Sequence, residues 1–446
     1  MKDRSLAEWN QSTVDPGKSG KEMHELIRKL YPICRSITGD GVRQTLKILQ
    51  EYVPLSIHEV PTGARVFDWT IPMEWNIRSA YVRDPRGRKI IDFQKSNLHV
   101  LNYSVPVQSK VTLEELKAHL YTIPEHPDWI PYRTSYYKEN WGFCISHNQL
   151  LGLTDGEYEV FIDSSLKNGS LTYGEYLVKG QTDDEILIST HVCHPSLAND
   201  NLAGIAIATF LARYLRPLST RYSYRFLFTP GGIGSITWLS QNEQQTSRIK
   251  HGLVLACLGD SGNITYKKTR LGDAEVDRVV MRALQEKGDP HSILDFTPYG
   301  YDERQFGSPG FNLPVGCLMR TPHGEFEEYH TSADNLDFVK PEHLSHSFSF
   351  CRRVFEILEQ NRTYWNTNPK CEPQLGRRGL YSAIGGNADG RLHELALLWV
   401  LNLSDGAHSL LDIASQSALS FEKIEKAAEA LRKQGLLREQ LRSFHG

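Results

Sequence analysis

Glu185-Ile-Leu-Ile-Ser-Thr-His-Val-Cys-His-Pro-Ser-Leu-Ala-Asn-Asp-Asn-Leu-Ala-Gly204 reads as a strand that runs out into a polar loop and turns into a helix. The apolar run Glu185–Thr190 has the length and β-branched content of a short buried strand. Gly204–Leu215 reads as an apolar helix. Between them stand His191, His194 and Asp200. Downstream the alternation repeats: strand Tyr224–Phe228, a helix starting over Ser235–Gln241, strand Gly252–Cys257, helix Asp273–Lys287, strand Val315–Arg320 and a long helix Pro341–Gln360. Strands alternating with helices predict an α/β fold whose mostly parallel central sheet is covered on both faces. In such sheets chemistry gathers in the loops beyond the C-terminal strand ends.

The flanking regions differ in texture. Lys21–Val53 carries apolar residues at helical spacing, from Met23, Leu26, Ile27 and Leu30 to Val42, Leu46 and Leu49. Ile57 to Tyr173 contains short β-rich runs (Ile57–Val60, Ala80–Val82, Lys89–Phe93, His99–Val105) separated by Pro, Gly, Asp and Asn, which predicts a mostly antiparallel β unit. One helix over Thr112–Leu120 interrupts it, announced by Thr112 with Glu115 three residues on. Asn361–Leu375 reads as a linker. Beyond it, helical patterns at Leu392–Leu401, Ser409–Ser415 and Phe421–Gln434, then a wing from Leu436, predict a winged helix. The expected organisation is an α/β domain from 1–56 and 174–365, a β-rich insert at 57–173 and a winged-helix domain at 376–446.

Composition narrows the function classes. The 446 residues suggest two or three domains. A net charge of −3 gives no global attraction to nucleic acid or an anionic membrane, and no apolar run reaches spanning length. Residues 377–446 carry nine Lys/Arg against eight Asp/Glu, so the winged helix lacks a phosphate-binding footprint and an interaction or lid role is expected. Met1–Gly20 has no signal core, and seven scattered cysteines form no C-x-x-C pair, which predicts a reducing, cytoplasmic setting. The expected partner is a small-molecule or peptide substrate, with no nucleic acid and no membrane; a homo-oligomer is left open.

Two imidazoles and a carboxylate in one loop at a strand end suit zinc, which takes N and O ligands at about 2.0–2.2 Å. Asp200 or Asn199 capping the following helix is the plainer reading, and the two histidines outweigh it. A second segment, Glu325-Phe-Glu-Glu-Tyr-His-Thr-Ser-Ala-Asp-Asn-Leu-Asp337, places His330 just after a strand and before the last long helix. Taken alone, a buried structural histidine is the plainer account of it.

The spaced set His191, Asp200-Asn201 and His330-Thr-Ser-Ala-Asp334 resembles the zinc aminopeptidase superfamily that also contains glutaminyl cyclases. Tyr301-Asp-Glu-Arg-Gln-Phe306 with Gly310-Phe-Asn-Leu-Pro-Val315 is similar to that superfamily's S-D-x-x-x-F…G-x-P element. An aminopeptidase-like subfamily with a β insert and a C-terminal winged helix is closer still. It shares the H-V-C-H-P-S string at 191–196, Phe67-Asp-Trp-Thr-Ile-Pro-Met-Glu-Trp75 and Cys257-Leu-Gly-Asp260. The resemblance implies that Asp200 and His330 bind zinc, with His191 or His194 completing a set of ligands. It implies a zinc-dependent aminopeptidase-like protein acting on a peptide, amide or aminoacyl substrate.

The departures are informative. The superfamily places a Glu-Glu pair after a strand, the first taking a proton from water and the second binding metal. This chain has Gly231 and Gly232 there, and Cys257 where a third acidic ligand falls. One zinc is therefore expected rather than two. A lost general base costs about 10²–10⁴-fold in rate. Glu328, Asp302, Glu303 and Arg304 are the candidates for catalytic duty in its place. Two other readings compete: an enzyme redirected to amide transfer or cyclisation in a biosynthetic pathway, and a non-catalytic binding or assembly protein.

Overall fold

The computed structural model describes residues 16–381 and 388–440. The N-terminal residues 1–15 and the winged-helix residues 382–387 and 441–446 lie outside them. The chain divides into two compact units, one of residues 1–281 with 289–352, the other of 282–288 with 353–446.

The first unit is built on an eight-stranded sheet: β1 (Ser56–Pro61), β2 (Ser170–Val178), β3 (Glu185–His191), β4 (Ser223–Thr229), β5 (Ile249–Leu255), β6 (Ile264–Lys267), β7 (His291–Leu294) and β8 (Val315–Met319), in the order β1-β2-β4-β3-β5-β8-β6-β7. β4, β3, β5 and β8 are mutually parallel, whereas β1, β2 and β6 pair antiparallel with their inner neighbours. All seven residues of β3 and of β4 are buried, which is why both read as continuous apolar runs. The exception inside β4 is Arg225, whose guanidinium makes two bonds to Glu185 (2.6 and 2.7 Å) and one to Glu175 on the neighbouring strands. A buried cation is tolerable only with such pairing.

The helices of this unit include α1 (Pro16–Leu30), α2 (Asp40–Leu49), α3 (Gly204–Leu215), α4 (Ile233–Asn242) and α6 (Glu303–Phe306), while α5 (Glu275–Lys287) and α7 (Pro341–Gln360) each have residues in both units. In α3 every residue but Arg213 is buried. The helix expected over Lys21–Val53 is two helices, α1 and α2, broken by Pro32 and the turn at Gly39, whose φ of 96° suits glycine.

The insert holds a four-stranded antiparallel sheet of Lys89–Asp92, Glu74–Arg83, Glu157–Lys167 and Val107–Thr112. The Thr112/Glu115 capping box is present, but its helix stops at Lys117. Two runs read as insert strands behave otherwise. Ile57–Val60 lies in β1 and pairs with β2 in the central sheet. His99–Val105 is no strand. It enters through a 3-10 turn over Asn97–His99, and its side chains make local bonds instead, with Ser104 Oγ donating to the Leu101 carbonyl at 2.6 Å. The short β6 and β7 were not legible in the sequence.

The second unit contains helices Ala388–Leu403, Leu410–Ser417 and Phe421–Lys433 and a three-stranded sheet. Ser409 and Ser420 cap the latter two helices, Ser409 in a capping box with Asp412. The predicted linker Asn361–Leu375 supplies the central strand of that sheet, Thr363–Asn366, flanked by Asp405–Ser409 and Leu437–Glu439. A four-residue strand whose partners are tens of residues away leaves no local periodicity to read.

Candidate metal centre

β3 delivers His191 to the C-terminal edge of the sheet. The chain then loops through His194 and returns with Asp200 before α3 begins. Asp200 is fully buried. Its Oδ1 receives His191 Nε2 at 2.9 Å, and its Oδ2 receives His330 Nε2 at 2.9 Å. His194 Nδ1 stands 3.9 Å from the same Oδ2. The capping alternative for Asp200 is not what the fold uses: α3 starts after Ala203 with no side-chain cap.

Neighbouring residues hold this arrangement. Asn201 donates to Thr190 Oγ1 (2.8 Å) and the Leu255 carbonyl (3.0 Å), and its Oδ1 accepts the Cys257 amide at 3.2 Å, tying the loop to the ends of β3 and β5. Asp334 accepts the backbone N–H groups of Asn199 (2.6 Å) and Asp200 (2.9 Å). Burial pushes the Asp334 carboxyl up to about 8. His330 has φ of 55°, uncommon for a side chain of this kind. Its turn is held by the insert: the His330 carbonyl accepts Tyr132 N–H at 2.7 Å, and Ser332 N–H bonds the Ile130 carbonyl at 2.8 Å. The Tyr132 ring sets its edge against both His194 and His330.

A buried carboxylate among three imidazoles fits a divalent cation. His191, His194 and Asp200 bring ligand atoms within 4.8 Å of one another. His194 Nδ1 is buried and has no hydrogen-bond partner. Burial holds this imidazole well below its ordinary pKa, so it carries a free lone pair at neutral pH. Asp200 is held well below the usual carboxylate range by His194, His191 and His330 against the cost of burial. A neutral, orphaned imidazole nitrogen beside an ionised carboxylate is the donor set zinc accepts. His330, bonded to the same carboxylate, stands at its outer oxygen.

A cavity of about 380 Å³ opens over this cluster, lined by His191, His194, Cys193 and the Gly231-Gly232 turn, and walled by aromatic rings. Thr229 at the end of β4 pairs with His191, so the turn two residues on faces the histidines. Asp302 is buried beside it, with Oδ1 accepting Gly232 N–H at 2.7 Å and Ser235 Oγ–H at 3.0 Å. Burial raises the Asp302 carboxyl above its ordinary value. Arg304 also lines the cavity. Glu303 turns away: its carboxylate pairs with buried Lys267 at 2.8 Å. Glu328 is not among the residues lining the cavity, and its carbonyl accepts the Thr331 N–H and Oγ–H. Cys193 and Cys257 are buried, and burial raises both thiols, Cys193 to about 12. They serve as small buried groups, with Cys257 Sγ 3.0 Å from Tyr301 Oη. Every cysteine among the described residues is free.

Further residues complete the site. Tyr301 stacks on His191 at 4.9 Å between ring centres, and His323 and Tyr329 line the same cavity. His323 follows the C-terminal end of β8, and that position was the signal available. The insert reaches the cavity with Trp69, Tyr136 and Tyr137.

Residues 24–361 match the family described as "Domain of unknown function (DUF4910)", and residues 362–439 match a "winged helix-turn-helix" family. The chain is 54% identical over 433 residues to a Clostridium acetobutylicum protein described as "Putative polysaccharide biosynthesis protein with aminopeptidase-like domain", covering 97% of this chain and all of that one. A crystal structure of a "putative peptidase" from Clostridium acetobutylicum is similar at 52% identity with a TM-score of 0.93, over 98% of this chain and 100% of that one. A zinc aminopeptidase from Bacillus subtilis is 14% identical with a TM-score of 0.55, covering 75% of this chain and 94% of that one. That likeness bears on fold alone. The aminopeptidase-like architecture and the winged helix expected from the sequence are both borne out.

Proposed function

The chain belongs to that family of unknown function, and we propose that it is a zinc-dependent, aminopeptidase-like enzyme that cleaves an amide bond in a peptide, amide or aminoacyl substrate. The observation that carries this reading is the buried Asp200 carboxylate among His191, His194 and His330 beneath an open cavity, with His194 Nδ1 lacking any other partner. His191, His194 and Asp200 would hold one ion, with His330 at the second carboxylate oxygen. Zinc, when bound, supplies Lewis acidity toward a carbonyl oxygen.

The remaining steps belong to the chain. The cavity orients the amide over the histidines. Asp302, whose Oδ1 accepts the Gly232 N–H next to Gly231 and whose carboxyl burial raises above its ordinary value, gives a proton to the departing nitrogen as the C–N bond breaks. Arg304, at the cavity wall, contacts the part of the substrate that extends outward. The test is a metal analysis of the purified chain followed by assay of the zinc-loaded form on aminoacyl 4-nitroanilides. Stoichiometric zinc with turnover supports the reading; a chain that takes up no zinc ends it.

A second reading places the amide on a carbohydrate, in a biosynthetic pathway. Its support is the relative named for polysaccharide biosynthesis together with the exposed pair Trp69 and Tyr137, whose rings stand 5.4 Å apart at the cavity wall. Flat aromatic faces suit the apolar face of a sugar ring. Turnover of N-acylated amino sugars, with aminoacyl anilides left intact, would select it.

A further inference from the structure

Gly231 cannot take a proton from the attacking nucleophile, so an amide-cleaving site on this scaffold needs that group elsewhere. We propose that His323 is the proton acceptor, a catalytic residue facing the substrate from the wall of the cavity. This inference rests on the amide-cleaving reading above.

The geometry supports it in three ways. His323 lines the cavity that covers the metal cluster. Its Nδ1 is buried without a hydrogen-bond partner, so the fold commits that nitrogen neither as donor nor as acceptor. Its ring is one tyrosine from each of the histidines that hold Asp200. Tyr301 lies 4.9 Å from His323 and 4.9 Å from His191, and Tyr329 lies 6.5 Å from His323 and 4.0 Å from His330. Buried polar atoms are nearly always satisfied, and an unpartnered ring nitrogen on a histidine that lines the cavity is the exception that asks for a function.

The surrounding charges set its protonation. Burial lowers the His323 pKa, with Lys267 acting in the same direction and Glu303, Asp200 and Glu325 opposing. The imidazole is therefore neutral at neutral pH. Asp302 is shifted the opposite way, so burial favours the neutral form of both groups in the one cavity. The step balances. The water oxygen bonds the amide carbon as the C=O π pair moves onto the carbonyl oxygen, and one water O–H bond breaks, its proton passing to the imidazole. The C=O bond then re-forms as the C–N bond breaks, and the departing nitrogen takes a proton from Asp302. The imidazolium proton afterwards restores Asp302 through solvent.

The experiment compares the zinc-loaded full chain with H323A and H323Q on the same 4-nitroanilide or N-acyl amino sugar. Both variants are expected to keep their zinc content, to lose about 10²-fold or more in kcat with KM little changed, and to lose the acid limb of the pH profile. Added imidazole should restore part of the H323A rate. NMR titration of the His323 ring, with and without zinc, should give a midpoint below 6.5. Variants that keep kcat and the acid limb overturn the assignment, and so do variants that lose zinc. Wild-type chain that holds zinc but turns over neither substrate class sinks the amide-cleaving reading, and His323 with it.

Discussion

Gly231 donates its backbone N–H to Cys193 Sγ over 3.2 Å, and a Cβ added to Gly231 would meet that sulfur at 3.4 Å and His191 Cβ at 3.5 Å. These are ordinary contacts, and Gly231 is not among the positive-φ glycines. A glutamate therefore fits at the position, facing the histidines. Gly231→Glu is expected to change stability by less than about 1 kcal/mol and to raise amide hydrolysis by the zinc-loaded chain tenfold or more. Initial rates alongside a thermal melt check both halves.

Asp200 joins the two histidines by its separate oxygens, so its charge is the centre of the ligand set. Asp200→Asn should abolish zinc-induced stabilisation. For wild type, zinc at a hundredfold over Kd raises unfolding free energy by about 2.7 kcal/mol, which a thermal shift with and without zinc reads directly.

Lys267 and Glu303 form a buried pair at 2.8 Å, with each side chain almost fully enclosed. Lys267→Met leaves the Glu303 carboxylate buried and unpaired, and is expected to cost about 3–5 kcal/mol in urea unfolding. A Lys267→Met, Glu303→Leu double variant should recover much of that loss. Recovery of activity in the double variant would place Glu303 outside the chemistry.

In the winged-helix unit, burial and the neighbouring Glu429 push Glu425 up to about 7. A carboxyl raised above its unfolded value costs nothing below pH 4.5, where both states are protonated. Its penalty grows as pH rises from 4.5 to about 7 and is constant above. Glu425→Gln should therefore stabilise this unit by about 1–2 kcal/mol at pH 8 and leave it unchanged at pH 4. Hydrogen exchange of the Phe421–Lys433 helix across that range measures the effect.

Much was legible in the sequence because it is local. Strand β3 shows as a short run rich in Ile, Leu and Thr, the helix α3 as an apolar stretch, and the Thr112 cap as a residue and its neighbour three positions on. His191, His194 and Asp200 share one loop, so their meeting needed only a strand end and a turn. His330 was named through its motif, 130 residues from the carboxylate it bonds. Gly231 and Gly232 were equally readable, as a glycine pair after a strand.

Tertiary structure alone decided the rest. Residues 303 and 267 are paired because β6 runs beside β8 and α6 packs on β8, neighbour relations no periodicity encodes. β1 joined the central sheet, and Thr363–Asn366 became the middle of another, because strand partners are chosen by distant edges. His323, Asp302 and the insert's Trp69 meet around one cavity only after the crossovers have brought three chain segments to the same sheet edge. The sequence by itself determined which side chains could ligate a metal and that a glycine pair follows β4. Packing determined which remaining groups face the substrate, because burial, orientation and pKa are properties of neighbours that the chain acquires only on folding.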